Sequence, residues 1–144
     1  MRHLLLVVAL LASTAGQASD LLLENAWVRA LPPTQSTTAG YMRIVNRGES
    51  ALSLVGASSP RAGAAEIHTT VEVDGMMRMQ RVPRALIAPG DTLDLAPGGM
   101  HMMLFRLQSM PREGEEMELC LLFDGLNEPV CTVAQALRQP PRPH

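Results

Sequence analysis

The stretch Glu66-Ile67-His68-Thr69-Thr70-Val71-Glu72-Val73-Asp74-Gly75-Met76-Met77-Arg78-Met79-Gln80-Arg81 decides the fold. Two strand-forming runs flank Asp74-Gly75, a dipeptide suited to the tight two-residue turn of a β-hairpin. With that turn, Val73 faces Met76, His68 faces Arg81 and Thr70 faces Met79. His68 and Met79 then become diagonal neighbours on one face, within reach of long side chains. A three-residue turn would slip the register and send them to opposite faces.

Outward from this hairpin, the chain reads as short strands separated by turn residues. Candidate strands are Leu21 to Arg29, Gly40 to Asn46, Leu52 to Ser58, Ala65 to Val73 and Met76 to Val82. Thr92 to Leu95, His101 to Leu107, Met117 to Phe123 and Val130 to Ala134 follow. Arg47-Gly48, Ser59-Pro60, Pro89-Gly90, Pro97-Gly98-Gly99 and Asp124-Gly125 punctuate them, and no amphipathic helix or internal repeat is legible. Such spacing predicts an all-β domain, an antiparallel Greek-key sandwich or barrel. Pro32 to Thr38 reads as a polar loop, and Trp27 and Tyr41 as core anchors.

Residues 1–18 have the pattern of a cleaved secretory signal: Arg2, the apolar run Leu4 to Ala12, and Gly16-Gln17-Ala18 before Ser19. The run is shorter than the ~20 residues of a membrane-spanning helix, and no cysteine lies near it for a lipid anchor. The expectation is an exported protein with one domain, residues 19–138, and a flexible proline-rich tail, residues 139–144. All 12 cationic residues are Arg, and loss of Arg2 leaves eleven against 14 acids, a net charge of −3. A scattered, outnumbered set of cations excludes nucleic acid as the partner.

His68, Met79, His101 and Met103 stand out by type. Imidazole nitrogen with thioether sulfur suits a soft monovalent copper ion. Zinc prefers thiolate, imidazole and carboxylate, and calcium and magnesium prefer oxygen. His101 and Met103, two apart on a strand, share a face. Phe105 and Leu107 continue that face, which predicts ligands at the end of a core-facing strand, with Met102, Leu104 and Arg106 opposite. Met42, Met110 and Met117 read as core filler. Met77, Met100 and Met102 read as surface or core residues, with auxiliary ligation the alternative.

The spacing His68-x10-Met79-x21-His101-x-Met103 resembles the motif of the periplasmic copper chaperone family PCu(A)C, also called DUF461. Asn25 to Arg29, Tyr41 to Asn46, Glu66 to His68, Asp74 to Met79 and Pro97 to Leu104 resemble its signature blocks. The resemblance implies a cupredoxin-like β-sandwich that binds one Cu(I) through His68, Met79, His101 and Met103. It also implies delivery of copper in the periplasm to cytochrome c oxidase, at the CuA site of subunit II, or to another carrier, by a monomer. Thr70 stands where many members have a further Met, and the tail offers only His144, so no second site is expected.

Cys120 and Cys131 straddle Asp124-Gly125, and hairpin pairing would set them opposite each other. Either they form a cross-strand disulfide, as suits an exported protein, or they are unpaired buried residues. Alternatives to a chaperone are a copper tolerance or storage protein, a blue-copper electron-transfer protein and a metal-free interaction module. A blue-copper site needs a Cys thiolate beside two His, and Leu121 to Gly125 after Cys120 contain no His. No Ser-His-Asp arrangement or phosphate-cradling Gly loop suggests an enzyme.

Overall fold

A computed structural model describes residues 20–142, so the leader at residues 1–18 and the tail end at 143–144 lie outside the described residues. Ten strands form: β1 (Leu21–Arg29), β2 (Thr38–Asn46), β3 (Leu52–Ser58), β4 (Ala62–Val73) and β5 (Met76–Arg81), then β6 (Ala85–Ile87), β7 (Thr92–Leu95), β8 (His101–Leu107), β9 (Glu116–Asp124) and β10 (Val130–Leu137). The described residues contain no helix long and apolar enough to cross a membrane.

Seven strands close into a barrel in the order β4-β8-β2-β1-β10-β9-β3, with β3 returning to β4 through Ala57 and Ala65. Closure removes the exposed edges of those strands. β1 pairs with β10 in parallel, the one departure from the expected antiparallel pattern among the barrel pairs. β5 and β6 hang on the two ends as edge strands, and β7 pairs with β2. β6 lies between Pro83 and Pro89, outside the candidate strands of the sequence; its pairing with Leu52 to Leu54 of β3 is a long-range contact. Thr38, assigned to the loop by sequence, opens β2 and is buried.

The hairpin register is as expected. Val73 pairs with Met76, Thr70 with Met79 and His68 with Arg81. Asp74 (φ 53°) and Gly75 (φ 77°) both occupy the left-handed region, which a tight hairpin turn requires and which Asp and Gly tolerate best. Cys120 and Cys131 are direct cross-strand partners and form a disulfide, which resolves the two alternatives.

The face of β8 differs from expectation. Met102 and Leu104 are fully buried in the barrel, whereas Met103 and Phe105 are half-buried on its outer side. Both faces of this strand are apolar, so alternation alone could not choose between them. The ladder to β4 matches Met102 with buried Ile67 and Leu104 with Ala65, and so turns His101 and Met103 outward. Trp27 and Tyr41 are buried, but they stack on each other at 4.5 Å and stand outside the main apolar cluster.

One buried polar side chain ties β2 to the loops that follow β2 and β6. Buried Asn46 donates Nδ2–H to the carbonyls of Ser50 (2.9 Å) and Ile87 (3.0 Å), and its Oδ1 accepts from Gly48 N–H (3.0 Å). Asn46→Ala leaves these buried groups without partners and is expected to destabilise the fold by about 2 kcal/mol. Urea unfolding would register this as a lower midpoint at unchanged slope.

Candidate metal centre

Three adjacent strands supply the four residues singled out by sequence. β4 lies between β5 and β8. Across one ladder His68 faces His101 and Glu66 faces Met103; across the other, Met79 faces Thr70, one step diagonal to His68. Strand alternation therefore sets all four side chains on the outer face of the barrel. The two imidazole rings lie 6.2 Å apart between centroids. Met79, His101 and Met103 share a surface depression of about 300 Å³, walled also by Thr37, Tyr41 and Arg29.

Each imidazole is held by an acceptor two residues upstream. His68 donates Nε2–H to the Glu66 carboxylate at 2.7 Å. His101 donates Nδ1–H to the Gly99 carbonyl at 2.8 Å. A carbonyl and a carboxylate only accept, so each contact fixes which ring nitrogen carries the proton. The remaining nitrogens, Nδ1 of His68 and Nε2 of His101, are buried and have no hydrogen-bond partner. Buried acceptors without partners are costly and rare; here two of them sit on facing residues. An ordered second partner behind each ring is the usual support of a metal-ligating histidine. The hydrogen bond from His68 also holds the Glu66 carboxyl below the usual carboxylate range, with Arg81 adding to the effect.

Burial grades across the set. His101 is 5% exposed and Met79 is 62% exposed. The rim is braced by Thr38, whose hydroxyl donates to the Arg29 carbonyl, and the Arg29 guanidinium lies 5.5 Å from the Trp27 ring centre and 5.8 Å from that of Tyr41. Sequence reasoning assigned no role to Glu66 or Gly99. Their signal was available, since each lies at i−2 from a histidine and so on the same strand face or just before it.

The family model described as "Putative lipoprotein LpqE-like" matches residues 21–133 of this sequence. The chain belongs to the LpqE-like family. This LpqE-like chain is 36% identical over 122 residues to "Putative lipoprotein Lxx21020" of Leifsonia xyli subsp. xyli (strain CTCB07), covering 83% of this chain and 72% of the relative. Its structure is similar to the solution structure of CuI-DR1885 from Deinococcus radiodurans, with a TM-score of 0.66 and 30% identity over 87% of this chain and 83% of that one. It is similar in fold to the copper-bound PCuAC domain from PmoF2, with a TM-score of 0.66 and 22% identity over 82% of this chain and 92% of that one. The cupredoxin-like β fold expected from the motif is therefore the fold of this LpqE-like protein.

Proposed function

We propose that this protein is an exported, periplasmic metallochaperone that binds one Cu(I) as cargo through His68, Met79, His101 and Met103 and passes it on as a monomer. The acceptor we propose is cytochrome c oxidase, at the CuA site. The observation that carries the copper reading is the pair of buried, partnerless nitrogens on facing histidines, flanked by two thioethers. Two neutral imidazoles with two neutral thioethers suit a soft monovalent cation, and the structural likeness to CuI-DR1885 supports the same choice.

The donor set suits transfer better than storage. It contains no thiolate, so it holds copper less tenaciously and cannot be closed off as a disulfide. His101, pinned and buried, is the anchor; Met79, on an open edge strand, is the first donor to let go when an acceptor ligand arrives. A blue-copper role is disfavoured, because both cysteines are joined to each other on β9 and β10.

Titration with Cu(I) against a competing chelator tests the proposal. One equivalent is expected to bind tightly at neutral pH. Protons and Cu(I) compete for the same imidazole lone pairs, so affinity is expected to fall as pH drops from about 8 to about 5. Absence of tight uptake, or an affinity flat across that range, contradicts histidine-ligated copper.

A further inference from the structure

Met77 has no place among the four donors, yet it continues their line. It pairs with Glu72, as Met79 pairs with Thr70 and Arg81 with His68. Met77, Met79 and His68 therefore share one face of the β4–β5 hairpin, and Met76 and Arg78 occupy the reverse face. Successive same-face residues on a strand stand about 6.6 Å apart, a gap that two flexible thioether side chains can close. Met77 is 65% exposed, so packing does not account for it. Its strand is one of the two end strands of the sheet among the described residues, with an edge open to an incoming molecule. The exposed Glu72 carboxylate opposite adds attraction for a cation.

We propose that Met77 is an outer thioether ligand through which Cu(I) enters and leaves the centre. The inference rests on copper binding at the four-donor site. As Met79 releases its share of the ion, the Met77 sulfur takes a vacated coordination position, and an acceptor's donor replaces it in turn. The copper stays Cu(I) throughout, one sulfur–copper contact forming as another breaks. No electron or proton is transferred. Met77 thus governs the rate of exchange and not the equilibrium hold on the ion.

The test compares Met77→Leu, Met76→Leu and Met79→Leu with the wild-type protein. Met76 is a built-in control, 61% exposed on the adjacent position but facing the other way. Each protein, checked for folding by thermal melting, is loaded with one Cu(I) and mixed in a stopped-flow device with excess bathocuproine disulfonate. Met77→Leu is expected to slow copper transfer about tenfold while its equilibrium affinity stays within about twofold of wild type. Met76→Leu is expected to transfer at the wild-type rate, and Met79→Leu to lose affinity outright. A wild-type rate in Met77→Leu overturns the proposal, as does equal slowing by Met76→Leu or an affinity loss in Met77→Leu matching that in Met79→Leu. Failure of the wild-type protein to take up Cu(I) at all would instead overturn the four-donor site.

Discussion

His101→Ala is expected to weaken Cu(I) binding by more than about 100-fold, the upper range for loss of an outer partner of a metal ligand. The imidazole of His101 is the least exposed of the proposed donors, and its Nε2 has no competing hydrogen bond to surrender. Its Nδ1–H is tied to the Gly99 carbonyl, so the ring is oriented before any ion arrives. The fold should survive the substitution, because the metal-free protein loses one hydrogen bond, a cost of about 1 kcal/mol. Two measurements separate the effects. Chelator competition reads the affinity, and thermal unfolding with and without Cu(I) reads linkage, since a ligand bound only by the folded state raises the midpoint. The wild-type midpoint should rise with copper, and that of His101→Ala should rise less. An unchanged affinity would remove His101 from the centre.

Glu66→Ala is the second large effect, expected to lower Cu(I) affinity about 10- to 100-fold without deleting any donor. The Glu66 carboxylate takes the Nε2–H of His68 and so leaves Nδ1 as the lone pair, buried and without a hydrogen-bond partner. Without it the ring is free to rotate and to change tautomer. Glu66→Gln, whose amide oxygen still accepts, should retain part of the affinity; histidine nitrogen shifts in NMR spectra should report mixed tautomers at His68 in Glu66→Ala only. The pH window follows from the sign of the Glu66 shift. A carboxyl held below its usual range contributes above its unfolded value and loses that contribution only as pH falls through the lowered folded value. The clamp therefore persists through mildly acidic pH, and the loss of copper affinity expected between about pH 8 and pH 5 belongs to proton competition at the imidazoles. Equal affinities of Glu66→Ala and wild type would show that the ring needs no support.

Much of the centre was legible because its geometry is local. Asp74-Gly75 fixes a two-residue turn, and the turn propagates one register along the ladder, so the common face of His68 and Met79 follows from a dipeptide. His101 and Met103 share a face by strand alternation alone, and the pairing of Cys120 with Cys131 follows from where their hairpin centres. Tertiary structure decided the rest. Which side of His101-Met102-Met103-Leu104-Phe105 turns inward depended on its pairing with β4, since the strand is apolar on both faces. The same pairing sets His68 opposite His101, residues distant in sequence, and leaves two nitrogens buried without partners. Barrel closure, the parallel β1–β10 contact, the short β6 strand and the separate Trp27–Tyr41 stack likewise arose from long-range burial. Turn chemistry and alternation act between neighbours and are written in the chain; the choice of partner strand and inner face depends on the total apolar surface removed from water, which only the closed barrel sets.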